Sequence, residues 1–442
     1  MMTTASLGAR IRRRARWIAR RLVAGRSNIA REGARASDPY ASIRAIDGPR
    51  LVDMPSFSAD TESGGRPRVT VLLPTLQMAK MTGGANTALN LTARLAGHGF
   101  DLRYATTFGQ ADDDFGPIRD HVTTLTGQEL PASVEFVTAS RQEPLLVRPN
   151  EVFVATWWPT AHIANAALPL TRSRAFIYLV QDFEPAFSPW STEYALALSS
   201  YEFPAWVVFN ESLLADHFRA SGIGVFGEPS RERHWISFEP AVDPVVFGPQ
   251  PDAGTRRDRR RLVFYARPRR PRNCFELGLR AIRLAAQTGA LDPAGWEVVS
   301  IGADIPELEL APGLVMRPAP WMSYPEYGAF LGGSDILLSL MLSPHTSYPP
   351  LEMAATGGIV VTNTFGVKTE AALRALSPRI LAAPPEAAAL ASALGRAIAL
   401  LGETPRGDSG QSDVTLPATW DDAFADVIPW LVDTVTELVH EP

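Results

Sequence analysis

Four short segments hold the residues that could do chemistry. Tyr265-Ala266-Arg267-Pro268-Arg269-Arg270-Pro271-Arg272-Asn273 packs four arginines into six residues. Guanidinium groups stay charged and grip phosphate oxygens in pairs, so a diphosphate is the ligand this density suits. A solvated basic loop is the alternative. Ser343-Pro344-His345-Thr346-Ser347-Tyr348-Pro349-Pro350-Leu351-Glu352-Met353-Ala354-Ala355-Thr356-Gly357-Gly358 joins a predicted strand to a predicted helix. Its hydroxyls and the amides of the helix start suit phosphate. Glu352, predicted in the first helical turn, suits ribose hydroxyls, or equally plain helix capping. Gln181-Asp182-Phe183-Glu184-Pro185 sets two carboxylates beside an aromatic ring. Such a pair binds sugar hydroxyls, acts as general base, or is an ordinary polar loop. Gly83-Gly84 precedes a helix, where bare backbone admits an anionic ligand or simply makes a tight turn.

Other patterns are discounted. Asp112-Asp113-Asp114 reads as a solvated loop. His98, His121, His162, His217, His234, His345 and His440 are scattered without metal-ligand spacing, and only His345 falls inside a segment named above. The single cysteine, Cys274, excludes an intrachain disulfide and a four-cysteine zinc site. No metal or cofactor is predicted.

The elements that must position these segments repeat. From residue 69, short apolar runs alternate with helical patterns, the mark of parallel α/β sheets. Predicted strands are Val69–Leu73, Leu102–Thr106, Val134–Val137, Val152–Ala155, Phe176–Val180 and Trp206–Phe209, with a helix over Thr87–Gly97. After a Pro- and Arg-rich linker, Gly248–Arg261, the alternation restarts. Strands are predicted at Leu262–Ala266, Trp296–Ile301, Asp335–Leu340 and Ile359–Thr362. Helices are predicted at Cys274–Ala286, Tyr324–Leu331, Leu351–Thr356, Ala387–Leu401 and Trp420–His440. Two open α/β sheets facing across a cleft would gather all four segments at strand carboxyl ends.

Length and charge bound the rest. The 442 residues are 46% hydrophobic and 20% charged, a globular balance that suits two or three domains. No run of about 18 apolar residues occurs, so no membrane span is predicted. Arginines outnumber lysines 40 to two, which reads as a coding bias. The net charge of −5 hides a basic start: residues 1–35 carry ten Arg and one acid. The remaining surface is acidic, which disfavours a nucleic-acid binder. Leu7, Ile11, Ile18 and Leu22 share a helical stripe flanked by Trp17 and arginines. A basic amphipathic helix over residues 1–26 would lie on an anionic membrane surface. A solvated tail or a nucleic-acid arm are the alternatives. No apolar core follows the arginines, so a secretory signal is not predicted. The domain boundaries follow as arm and linker 1–65, first domain 66–248, second domain 249–415 and a closing helix 416–442.

These motifs resemble a known family. Ala266-Arg267 with Arg272-Asn273, the strand Val298–Gly302, the segment Leu351–Gly357 and Pro240–Phe247 are similar to glycosyltransferase family 4 enzymes of the GT-B fold. Gln181–Glu184, Tyr265–Asn273 and Ser347–Met353 together resemble the bacterial rhamnosyltransferase WsaF and its relatives over about residues 67–440. Pro344 stands where the wider family carries Glu, and Gln181 where it often carries His.

The resemblance implies a GT-B enzyme with two Rossmann-like domains, the last helix crossing back to the first. Arg267 and Arg272 would hold the donor diphosphate and Glu352 the ribose. Ser347 and Tyr348 would line the phosphate and sugar pocket. Gly83, Gly84, Tyr265, Asn273, Gly302 and His345 would complete the donor site, and Asp182 and Glu184 would sit near the acceptor. The implied reaction is metal-independent transfer with retained anomeric configuration. The sugar would be L-rhamnose from dTDP-rhamnose, passed to a cell-surface polysaccharide or lipid-linked glycan on the cytoplasmic face of the membrane. Another nucleotide-sugar donor, or a non-catalytic sugar-nucleotide binder of the same fold, are the competing readings. An epimerase or a phosphorylase of the same architecture is a third reading; a pyridoxal-dependent phosphorylase would need a suitable lysine, and neither Lys80 nor Lys368 has a suggestive context.

Overall fold

A computed structural model describes residues 52–60, 65–81, 83–231, 233–249, 258–403 and 414–440. The amphipathic helix predicted within residues 1–26, and most of the arm to residue 65, lie outside the described residues. Met54–Pro442 form one contact unit holding two seven-stranded sheets.

The first lobe is built on β1 (Arg68–Leu72), β2 (Asp101–Thr106), β3 (Glu135–Thr138), β4 (Glu151–Ala155), β5 (Phe176–Val180), β6 (Ala205–Asn210) and β7 (Trp235–Phe238). Their order is β3-β2-β1-β4-β5-β6-β7, parallel throughout. Strands β1, β4, β5 and β6 are buried along their whole length. That is why their sequences run nearly unbroken in apolar residues: a parallel sheet covered on both faces has no wet side. The charged residues in them pair instead. Glu151, which opens β4, is held by Arg68 at 2.9 Å and by Arg103. This cluster lies toward the starting ends of the strands, away from the edge that carries the candidate site.

The second lobe repeats the scheme with β8 (Arg260–Tyr265), β9 (Trp296–Ile301), β10 (Leu308–Ala311), β11 (Leu314–Pro318), β12 (Ile336–Leu338), β13 (Ile359–Asn363) and β14 (Ile380–Ala383). The order is β10-β11-β9-β8-β12-β13-β14, and only the edge strand β10 runs antiparallel to its neighbour. Leu262, Phe264, Val298, Ile336, Leu338 and Val361 form the centre of its core.

Several boundaries differ from the sequence expectation. The linker predicted to Arg261 ends sooner, because Arg260 and Arg261 already belong to β8, and Glu297 of β9 holds Arg261 at 2.7 Å. Phe57–Ala59, inside the predicted arm, pairs in parallel with Leu145–Val147. The first predicted helix begins at Gly84, not Thr87: α1 spans Gly84–Ala93. The helix predicted at Leu351 begins at Tyr348: α2 spans Tyr348–Ala355, with prolines in its first turn where their missing N–H groups cost nothing. Trp420–His440 is two helices, Trp420–Ala423 and α3 (Val427–His440). The break lets the Phe424 ring meet Phe238 at 5.0 Å. Phe424, Leu431, Val435 and Leu438 join Val69, Val71 and Val152 in one apolar core, so the chain's end packs on the first lobe. Each such buried side chain contributes about 1.5–3 kcal/mol.

Candidate active site

The two sheets point their carboxyl edges at a cavity of about 520 Å³. Residues that follow β1, β4 and β5, with Asn210 at the end of β6, line one side, and residues at the end of β8 and after β8 and β12 line the other. Open parallel sheets place ligands at this edge, because loops there are free to vary and helix starts point inward.

On the second-lobe wall stand Tyr265, Arg267, Arg270, Arg272 and Asn273. Arg267 donates to the Tyr265 hydroxyl at 3.3 Å. The Arg272 guanidinium lies 4.2 Å over the Phe187 ring, and burial lowers its pKa. Arg269, named in the same segment, is exposed and is not part of the lining. Asn273 is buried and donates to the Leu340 carbonyl at 3.1 Å, which ties the arginine loop to the end of β12. Gly302 does not line the cavity. It closes β9 with φ +94, and a Cβ there would sit 2.9 Å from the Tyr265 ring and 3.1 Å from Arg267 Cγ. Its bareness makes room for those two side chains.

The amino end of α2 completes this wall. Ser347, His345 and Tyr348 line the cavity. Ser347 is a non-glycine residue at φ +72, and it turns the chain sharply into the helix. Glu352 is corrected in position: with the helix starting three residues early it falls beyond the first turn and outside the lining. It accepts from the Tyr327 hydroxyl at 3.0 Å, and burial pushes its pKa up to about 7.

Across the cavity, Gly83 caps α1 at φ +51, and Gly84 opens the helix. A Cβ on Gly84 would meet the Gln181 amide at 3.1 Å, so glycine here allows Gln181 its place in the lining. Asp182 and Glu184 also line the cavity, but they are not two free carboxylates. Asp182 accepts from Ser343 Oγ and lies 3.3 Å from Arg272 Nε and 3.4 Å from His345 Nε2. Burial opposes its charge, yet the His345 and Arg272 cations and the Ser343 hydrogen bond prevail and hold its pKa down to about 2. Glu184 accepts from the Trp158 amide at 2.6 Å, and burial, reinforced by Asp182, pushes its pKa well above the usual carboxylate range. The two carboxyls are thus pushed in opposite directions, Asp182 toward its charged form and Glu184 toward its neutral one.

These contacts join the lobes. His345 reaches Glu211 through Nδ1 at 3.1 Å, and Glu211 also accepts from the Thr346 amide at 2.8 Å. Burial disfavours the imidazolium, but Asp182 and Glu211 outweigh it and raise the His345 pKa to about 9. The Tyr348 hydroxyl meets Thr87 Oγ1 at 2.9 Å and accepts from Asn210 Nδ2 at 3.0 Å. Asn210 and Glu211 escaped the sequence reading. They close β6 as Gln181 and Asp182 close β5, so the same strand-end rule would have found them. Asp112, set aside as a solvated loop residue, accepts from the Met78 amide at 2.8 Å. Among the described residues, no group of His, Cys, Asp and Glu is arranged to hold a metal ion.

Comparisons with known proteins bear on family and fold. Residues 68–211 match the WsaF N-terminal domain and residues 260–395 the WsaF C-terminal domain. A curated relative, the O-antigen biosynthesis protein RfbC of Myxococcus xanthus, is 37% identical over 240 residues, which are 53% of this chain and 17% of that protein. The chain therefore spans less than a fifth of that relative. Among solved structures, the sucrose-phosphate synthase of Thermosynechococcus elongatus aligns with a TM-score of 0.59 at 13% identity, over 84% of this chain and 99% of that one. Anabaena Alr3699/HepE, solved with UDP and glucose, aligns with a TM-score of 0.55 at 13% identity, over 84% and 99%. Both likenesses concern the fold, which is GT-B.

Proposed function

The chain belongs to the WsaF family, with both of its domains present in order, and from that premise we propose that it is a glycosyltransferase of O-antigen or related cell-surface polysaccharide assembly. The observation that carries this reading is the facing of two walls across one cavity. Arg267, Arg270 and Arg272 gather with the amino end of α2 on one side, and the Gln181–Glu184 loop lies opposite. Three cations and a helix start suit a diphosphate.

In the proposed reaction the bond between the anomeric carbon and the diphosphate oxygen breaks, and negative charge builds on that oxygen. Arg267 and Arg272 would stabilise the charge without a metal. An acceptor hydroxyl forms the new bond to the anomeric carbon. Asp182 is a weak base with its oxygens engaged, and burial disposes Glu184 to keep its proton. That leaves the departing diphosphate to take the acceptor's proton.

For the donor we propose dTDP-rhamnose, on the strength of the Gln181–Glu184, Tyr265–Asn273 and Ser347–Met353 motifs. A panel of nucleotide sugars, read by released nucleoside diphosphate, tests it. Release from dTDP-rhamnose at the highest rate supports rhamnosyl transfer. Release from a different sugar nucleotide replaces the sugar and keeps the enzyme class. Nucleotide binding without release from any donor would make the protein a binder. Activity that survives EDTA supports the metal-free scheme.

The basic arm, residues 1–26, is proposed to hold the protein on the cytoplasmic face of an anionic membrane beside a lipid-linked acceptor. Deleting it should move the protein from the membrane fraction to the soluble one.

A further inference from the structure

One buried cation has no part in that scheme. Lys368 is 1% exposed. It is one of two lysines in a chain with 40 arginines. Where arginine is so strongly preferred, a lysine at a dry position is a chemical distinction: its ammonium is a compact point charge, while guanidinium is a broad planar fork.

Its side chain bonds the backbone of a residue that lines the cavity. Lys368 Nζ donates to the Met341 carbonyl at 2.8 Å. Asn363 Nδ2 donates to the same carbonyl at 3.0 Å, and Asn363 Oδ1 accepts from the Met341 amide at 2.7 Å. Met341 lines the cavity, and the chain beyond it carries Ser343 to Asp182 and His345 and Thr346 to Glu211. Lys368 is itself fixed. Its amide and carbonyl both bond Phe365, at 3.0 and 3.1 Å, across a tight turn with Gly366 at φ +53. Burial lowers the ammonium's pKa to about 8 even though Glu211 and Asp182 favour the charge. An ammonium kept there at that cost implies a return elsewhere.

We propose that Lys368 is a positioning residue: it pins the Met341 carbonyl and thereby fixes the turn that brings Ser343, His345 and Thr346 onto the first lobe, a task only a compact ammonium performs. Its consequence for turnover rests on the glycosyltransferase reading above. Lys368 touches no donor atom in this account and acts through the backbone alone.

Two variants of the full-length chain test it. Lys368→Met removes the charge and the donor at similar length, and Lys368→Arg keeps the charge but overfills the site. Hydrogen–deuterium exchange needs no ligand. The Met variant should exchange at least about tenfold faster over residues 340–346 while β1 keeps its protection. Release of nucleoside diphosphate from the donor should show kcat lowered at least about tenfold and donor KM changed less than about threefold. The Arg variant should share both defects. Wild-type exchange over 340–346 in the Met variant, or full turnover in the Arg variant, overturns the proposal. Lost protection of β1 in both variants also overturns it, since Lys368 would then serve folding at large. If the wild-type protein releases nothing from any donor, the glycosyltransferase reading fails, and the exchange measurement still decides the positioning claim.

Discussion

The Asp182 carboxylate of the first lobe lies 3.3 Å from Nε of Arg272 in the second, while the same guanidinium covers the Phe187 ring at 4.2 Å. An arginine proposed to grip the donor is therefore held from the opposite wall by a carboxylate and a ring. In the proposed scheme Asp182 orients Arg272 and is not the base.

Asp182→Asn keeps the shape and removes the charge. We expect kcat for transfer to fall at least about tenfold, with donor KM changed less, since Arg272 loses its guide where charge develops. Steady-state kinetics on both proteins checks this. Unaltered kcat would detach Asp182 from the reaction.

His345 makes the lobe contact sensitive to pH. Its folded-state pKa is raised from 6.5 to about 9. The stability it contributes is fully present below pH 6.5 and is lost as pH rises through 9. Urea denaturation across this range should show a decline that His345→Gln flattens. An equal slope in the variant would assign the decline to other groups.

At the far end of the first sheet, Glu151 sits between Arg68 and Arg103 with its side chain fully buried. Glu151→Ala takes from Arg103 its paired carboxylate and leaves Arg68 only the longer ion pairs with Glu135 and Asp60, and should cost about 3–5 kcal/mol of stability. Nucleotide affinity of the folded fraction should stay unchanged, because the site lies at the opposite edge. Chemical denaturation and calorimetry read the two separately.

The sequence disclosed the layout because parallel strands buried on both faces announce themselves as apolar runs, as Phe176–Val180 does without shift. The Arg267–Asn273 loop was legible because guanidinium density is a local property. What escaped was set by tertiary contact. The helices Trp158–Ala167 and Ser212–Ser221, not among the predicted ones, connect the strands on either side of them. The helix α2 starts three residues before the predicted Leu351, since a first helical turn accepts Pro349 and Pro350. The opposite pKa shifts of Asp182 and Glu184 follow from burial and from His345 and Arg272, neither of which adjoins them in the chain. Glu211 and Lys368 gain meaning only when the lobes meet.

One rate tests the proposed role of Arg267 and Arg272 most directly. Nucleoside diphosphate release from the preferred donor, with acceptor present, should fall at least about 100-fold in Arg267→Ala and in Arg272→Ala, as for loss of a donor to a developing oxyanion. Near-wild-type release in either variant would contradict it.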